Sequence, residues 1–170
     1  MARNIEIKAH VSDLAVMTER ATAVADQGPI EILQDDTFFA CPTGRLKLRC
    51  FSDDAGELIF YQRADQLGPK ESSYVRTPTT DPASLRQALS LAYGEVGRVR
   101  KRRTLFLVGR TRIHLDDVEY LGSFLELEVV LREGELAASG VREAEALMQR
   151  LGVDPSQLID RAYVDLLAGK

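Results

Sequence analysis

Residues 4–8, Asn-Ile-Glu-Ile-Lys, alternate strictly between polar and apolar side chains. Period two marks a β-strand with two unlike faces, and it predicts a first strand over residues 3–11. Ser12-Asp13 then offers a helix N-cap, and Leu14, Val16, Met17, Ala21 and Val24 trace a helical stripe. Gly28-Pro29 is a stop signal, so the predicted helix ends there. Strand-like stretches follow at 30–40, 45–52, 58–63 and 72–77. Turn chemistry at Pro42-Thr43-Gly44 and at Asp53-Asp54-Ala55-Gly56 separates the first three of these. Asp81-Pro82 puts a proline in the first turn of a second helix that runs to Tyr93. Further strands are predicted at 97–108, 110–118 and 124–132, then a third helix at 135–151 stopped by Gly152. Pro155 begins a short turn or helix, and 163–167 closes the chain. The sum is an α+β fold of about eight mostly antiparallel strands with helices.

The faces of these strands are unusual when taken together. Glu6 and Lys8 oppose Ile5 and Ile7; Arg45, Lys47 and Arg49 oppose Leu46 and Leu48; Ile59, Tyr61 and Arg63 oppose Leu58 and Phe60. Lys101 and Arg103 share a face, as do Arg110, Arg112, His114 and Asp116 against Ile113 and Leu115. Phe124, Glu126 and Glu128 oppose Leu125, Leu127 and Val129. A half-buried sheet with a solvated face gives this alternation in any one strand. Across the set, the polar face is dominated by Lys and Arg, the acids collect at Glu6, Glu126 and Glu128, and the amphipathic helices need an apolar sheet face to pack on. A closed or nearly closed eight-stranded antiparallel β-barrel reconciles these facts, with the apolar face outward beneath the helices and the charged face lining a hydrated cavity. Many cations in one cavity suit a polyanion, held by Arg forks and Lys ammoniums. Carboxylates facing that polyanion suit a divalent ion shared between them and phosphate oxygens, Mg²⁺ or Mn²⁺.

Composition narrows the surroundings rather than the site. A chain of 170 residues with 45% hydrophobic and 28% charged residues is an ordinary globular domain, and no linker or repeat divides residues 1–170. The net charge of −4 argues against nucleic acid as the partner. No apolar leader follows Met1 and no run approaches the length of a membrane span, so the expected location is cytoplasmic, with no membrane partner. Cys41 and Cys50 show no Cys-x-x-Cys spacing, which argues against zinc and for ordinary thiols.

These segments together resemble the CYTH superfamily, the triphosphate tunnel metalloenzymes, which includes class IV adenylyl cyclases, thiamine triphosphatases and inorganic triphosphatases. The matching segments are Asn-Ile-Glu-Ile-Lys at 4–8 for the family's E-x-E-x-K strand, Arg-Leu-Lys-Leu-Arg at 45–49, Tyr-Gln-Arg at 61–63 and Lys-Arg-Arg at 101–103. Arg-Ile-His-Leu-Asp at 112–116, Leu-Gly-Ser-Phe-Leu-Glu-Leu-Glu at 121–128 and Ala-Tyr-Val-Asp-Leu-Leu at 162–167 complete the set, in order over nearly the whole chain. The resemblance implies a triphosphate tunnel. It makes Glu6, Glu126 and Glu128 metal ligands, and it leaves Asp116 either holding a second metal or orienting a basic residue. Lys8, Lys47, Arg49, Arg63, Lys101, Arg103 and Arg112 would bind the phosphates, with Lys8, Arg49, Lys101 and Arg103 as the candidate catalytic cations. Tyr163 would close one end, Lys70 would reach in from a loop or lie solvated, and His114 would hydrogen-bond within the wall. Tyr61 and Phe124 are either wall packing or stacking surfaces.

Two departures stand out. Asn4 replaces the first glutamate of the motif, and Met1-Ala2-Arg3 lacks the His-Phe pair that class IV cyclases carry before the acidic strand. The expected activity is hydrolysis of an inorganic or organic triphosphate, such as tripolyphosphate, thiamine triphosphate or ATP. A class IV adenylyl cyclase, converting ATP to cyclic AMP and pyrophosphate, is the alternative, and Asn4 motivates a third, a non-catalytic sensor of a phosphorylated ligand. The resemblance is compatible with a homodimer.

Overall fold

In the computed structural model, which describes residues 1–169, eight strands and four helices build one layer closed on itself. The strands are β1 (Ala2–His10), β2 (Gln27–Phe39), β3 (Arg45–Ser52), β4 (Ala55–Arg63), β5 (Lys70–Thr79), β6 (Glu95–Val108), β7 (Thr111–Val118) and β8 (Gly122–Val130). The helices are α1 (Leu14–Val24), α2 (Pro82–Tyr93), α3 (Ala137–Arg150) and α4 (Tyr163–Leu167), with a single 3₁₀ turn at Pro155–Gln157. The barrel order is β1-β5-β4-β3-β2-β6-β7-β8, antiparallel at every pairing.

Closure is made by the first strand. β1 pairs with β5 on one edge, placing Asn4 opposite Ser72, and with β8 on the other, placing Glu6 opposite Glu128 and Lys8 opposite Glu126. With no free edge left, every strand has an inside and an outside, and the period of two assigns each residue to one of them. Asn4, Glu6 and Lys8 point in; Ile5 and Ile7 point out.

Outside, Ile5, Ile7, Phe106, Ile113, Leu115, Leu125, Leu127 and Val129 form one buried surface. Met17 and Ala21 of α1 and Ala144 and Leu147 of α3 complete that cluster. Each such aliphatic or aromatic side chain contributes roughly 1.5–3 kcal/mol on burial. The predicted caps hold: Asp13 accepts from the Val16 amide at the start of α1, and Asp81 from the Ser84 amide at the start of α2. Helical cover of the apolar face is narrower than expected. α2 packs against β2, β3 and β4, yet Leu33 on β2 stays 64% exposed and Val75 on β5 48% exposed.

A second expectation needs correction. α1 stops at Val24, and Gly28-Pro29 lies inside β2 instead of ending the helix. The β2–β6 register slips between Gln27 and Ile30, so the pair sits at a bulge, where a proline without an N–H disturbs no ladder bond. Gly28 is required there by its φ of +109° and by the Leu105 carbonyl, which would lie 2.6 Å from a Cβ.

One end of the barrel is plugged. Inward-facing Phe38, Val99 and Phe124 pack with Ile159, Ala162, Tyr163 and Val164 in a second buried cluster. Gly97 of β6 has no room for a side chain because Val164 of α4 fills that space.

Gly140 sets how closely α3 approaches the barrel. A Cβ there would sit 2.7 Å from both Ile5 Cγ1 and Leu131 Cδ2. Gly140→Ala therefore destabilises the fold by about 1–3 kcal/mol, although alanine is the better helix former by about 1 kcal/mol. A urea transition with a lower midpoint and unchanged slope is the expected result.

Candidate functional site

The inward faces enclose a cavity of about 240 Å³. Among the described residues its wall carries eight cations (Lys8, Lys47, Arg49, Arg63, Arg76, Lys101, Arg103 and Arg112) against five carboxylates (Glu6, Asp36, Glu57, Glu126 and Glu128). The structure thus brings together all seven cations predicted to contact phosphate, and Glu6, Glu126 and Glu128 with them. Asn4, Tyr61, His114 and Tyr163 line the same space.

Five residues that the sequence singled out do not line the cavity. Asp116 faces inward but is fully buried beneath Arg103 and Tyr163, accepting a bidentate pair from Arg103 (2.7 and 2.8 Å) and the Tyr163 hydroxyl (2.8 Å). Arg45 pairs with Asp165 at the α4 end, and Arg110, in the turn after β6, pairs with Glu135 and Glu143 on the outside. Lys70 is the first residue of β5 rather than part of a loop; its ammonium donates to the carbonyls of Gln66 (3.0 Å) and Asp160 (3.4 Å), joining two loops below the cavity wall. Phe124 belongs to the plug, with its ring 5.0 Å from that of Tyr163.

Two buried aspartates organise the cations. Asp36 accepts from Lys47 Nζ at 3.0 Å and from Arg49 twice at 2.8 Å, with Lys101 Nζ at 3.9 Å. Burial pushes the Asp36 carboxyl up, but Arg49, Lys47 and Lys101 outweigh it and hold the group well below its ordinary value. The cations feel the reverse. Burial, then the neighbouring Arg49, lowers Lys47 to about 8 despite Asp36, and burial with Arg103 takes Lys101 well below its ordinary value. Asp116 does for Arg103 what Asp36 does for Arg49: it fixes the guanidinium fork and keeps it charged. Lys8 stands over the Tyr163 ring at 3.9 Å, a cation–π contact at the plugged end.

The opposite wall is acidic. Arg63 Nη1 lies 2.9 Å from Glu6, Lys8 lies 3.1 Å from Glu126, and Arg112 lies 2.9 Å from Glu128. Glu126 is held well below its ordinary value because Lys8 and Arg103 outweigh the cost of burying it, whereas burial raises Glu6 despite Arg63. His114, Glu126 and Glu128 bring ligand atoms within 4.8 Å of one another. Nearby, the buried Asn4 Oδ1 and His114 Nδ1 have no hydrogen-bond partner. Oxygen donors converging beside unpartnered polar atoms are what a hard divalent cation needs, so these residues fit one.

Several wall residues escaped the sequence reading. Asp36 and Gln34 lie on β2, where inward Ile32 and Phe38 and outward Glu31, Asp35 and Thr37 break any simple alternation. A usable signal existed in the hairpin register, which sets Asp36 opposite Arg49. Glu57 lies one residue before the predicted strand at 58–63, whereas Tyr74 and Arg76 fall inside the predicted 72–77, where Ser72, Ser73 and Thr77 put polar residues on both faces and leave no apolar side to read.

Comparison with known proteins is consistent across sequence and structure. The CYTH domain model matches residues 2–163. The adenylate cyclase CyaB of Aeromonas hydrophila is 26% identical over 94% of this chain and 85% of its own length. The PH1012 protein of Pyrococcus horikoshii superposes with a TM-score of 0.85 over 96% of this chain and 98% of its own, at 21% identity. HpAC1 from Hippeastrum, named for adenylyl cyclase and described with a dominant triphosphatase activity, superposes with a TM-score of 0.68 over 100% of this chain and 97% of its own, at 14% identity.

The arrangement around Asp36 predicts how stability responds to a ligand. Asp36→Asn leaves three buried cations without their counter-ion and lowers stability by about 3–5 kcal/mol. A bound polyanion supplies the missing charge, so saturating tripolyphosphate recovers much of that loss and raises the melting temperature more in the variant than in the unmodified protein. Equal thermal shifts in both proteins would rule out this role for Asp36.

Proposed function

Because the chain belongs to the CYTH domain family, we propose that it is an enzyme that hydrolyses a triphosphate held in the barrel cavity. The observation that carries this reading is the pairing of a cation lattice on one wall with a carboxylate wall facing it, in a cavity plugged at one end. Arg49 and Arg103, their forks held by Asp36 and Asp116, present planar donors to phosphate oxygens. Lys8, Lys47 and Lys101 add compact charges between them. Binding needs little reorganisation, since the buried aspartates hold the guanidinium groups in place before the ligand enters.

Glu126 and Glu128, with Glu6 beside them, would hold Mg²⁺ or Mn²⁺, which when bound would draw charge from the phosphoryl oxygens and acidify a water. The chain's own groups do the rest. Lys8 and Arg103 lie against Glu126, so they face both the carboxylate wall and the phosphates, where charge develops as the terminal P–O bond breaks. Asp116 accepts both Arg103 bonds and the Tyr163 hydroxyl, which supports its role as the group that orients Arg103 rather than as a metal ligand. The plug around Phe124 and Tyr163 keeps that end of the cavity dry, strengthening each of these interactions. A cyclase reading rests on the CyaB relative and uses the same cradle, with a ribose hydroxyl as nucleophile.

Incubation of the purified protein with tripolyphosphate, thiamine triphosphate or ATP, each with Mg²⁺ or Mn²⁺, separates the readings. Orthophosphate release is the expected outcome; cyclic AMP with pyrophosphate would establish the cyclase, and tight binding without turnover would establish a sensor. Arg49→Ala weakens tripolyphosphate binding at least tenfold, a loss of about 1.4 kcal/mol or more.

Affinity also depends on pH in a defined direction. Lys47 titrates near 8 in the free protein, and a bound anion favours its charged form. Binding therefore takes up a proton above that value, and Lys101, also lowered, acts in the same direction: affinity falls as pH rises through about 8. Metal-free calorimetry across this range should show the fall, and Lys47→Arg, charged throughout, should reduce it.

A further inference from the structure

We propose that His114 is a ligand of the divalent cation through Nδ1, forming with Glu126 and Glu128 a mixed nitrogen–oxygen site that favours transition-metal ions such as Mn²⁺ over Mg²⁺. The proposal rests on the metal-dependent reading above and goes beyond the all-carboxylate site that the sequence pattern suggests.

Three observations carry it. First, β7 sets His114 directly opposite Glu126 on β8, and Arg112 opposite Glu128, so the imidazole enters the cavity between the two glutamates. Second, His114 is 5% exposed, yet the approach of its Nδ1 to Glu126 Oε1, at 3.5 Å, is at most a weak hydrogen bond. An unpaired ring nitrogen in a buried wall is costly unless something occupies its lone pair. Third, the spacings suit an ion. Nδ1 lies 3.5 Å from Glu126 Oε1 and 3.9 Å from Glu128 Oε1. Ligand atoms bound at about 2.1 Å to one octahedral ion lie ~3.0 Å apart side by side, so shifts of about 0.5 to 0.9 Å, within reach of side-chain rotation, would bring Nδ1 and each oxygen onto adjacent positions. Both spacings are too long for good hydrogen bonds and too short to be unrelated.

The surroundings agree. Arg112 and Lys8 hold the other oxygens, Glu128 Oε2 and Glu126 Oε2, leaving both Oε1 atoms turned to His114; Arg103 also shares Glu126 Oε1 at 3.2 Å. Each carboxylate oxygen keeps a lone pair for an ion beside one such bond. Imidazole adds little for Mg²⁺ but strengthens binding of first-row transition ions, and the difference is the selectivity.

Mn²⁺ alone is the probe. Its free-ion electron paramagnetic resonance signal measures binding, and electron spin-echo modulation of the bound ion detects a directly coordinated ¹⁴N. The unmodified protein should bind Mn²⁺ with clear ¹⁴N modulation. His114→Asn should abolish the modulation and weaken Mn²⁺ about tenfold or more, with a smaller change for Mg²⁺ measured by competition. His10, the other histidine, is exposed outside the cavity lining with its ring tilted against Phe124, and His10→Asn should leave the modulation unchanged. Bound Mn²⁺ without ¹⁴N modulation in the unmodified protein overturns the His114 assignment, with no variant needed, while leaving the carboxylate site standing. No Mn²⁺ binding at all, or binding untouched by Glu126→Gln, overturns the metal-dependent reading and this assignment with it.

Discussion

Buried cations can crowd one cavity only if buried anions hold them, and the molecule turns on that compensation. Asp36 and Asp116 are the deepest charges in the barrel, at 1% and 0% exposure, and each grips an arginine fork. Removing ions from water costs several kcal/mol apiece, which geometry this close offsets only when few donors remain unpaired. The cost bears fruit in order: Arg49 and Arg103 cannot swing, so the cavity has a fixed charge pattern before anything enters it. Positive charge still exceeds negative along the wall, which leaves the ligand-free site poised for an anion rather than neutral.

That compensation depends in turn on closure. An open sheet would let the charged face meet water, and nothing would then force Asp36 against Arg49 or Asp116 against Arg103. Because β1 pairs with both β5 and β8, the faces cannot relax outward. The plug adds direction. With Phe38, Val99, Phe124 and Tyr163 filling one end, a ligand meets Lys8 and Lys101 at the bottom and Arg76, Arg112 and Glu57 farther along the wall. Both Lys8 and Lys101 stand over the Tyr163 ring, at 3.9 and 5.0 Å, so the plug also supports charge there.

Much of this was readable from the chain because the signal was physical. Alternation in β1, β3, β4, β7 and β8 gave both the strands and the sides of the cavity they form, since the side-chain period of a strand and the two faces of a barrel are the same fact. What stayed hidden were features that need pairing to be seen. Asp36 reads as one of two adjacent acids until β3 places it against Arg49. Asp116 shares the inward face of Arg112 and His114, yet Arg103 and the Tyr163 hydroxyl, 47 residues away in sequence, cover it, so it does not line the cavity. Arg45 and Arg110 fit the pattern and fail it because they stand at strand ends, where closure no longer dictates direction. Gly28-Pro29 shows the same limit: stop signals for a helix are also the residues that a bulge requires.

The change from glutamate to asparagine at position 4 is best understood through the same balance of charge. Asn4 faces inward, and its Oδ1 has no partner, so the residue keeps the position of a ligand while withholding the charge. A fourth carboxylate on the acidic wall would draw Arg63 and Arg112 further into ion pairs and away from phosphate. With asparagine there, Arg63 pairs with Glu6, and Arg112 with Glu128 and Tyr74. A neutral amide there leaves the excess of cations along the wall larger than a fourth carboxylate would, so the charge balance at position 4 favours an anion in the cavity.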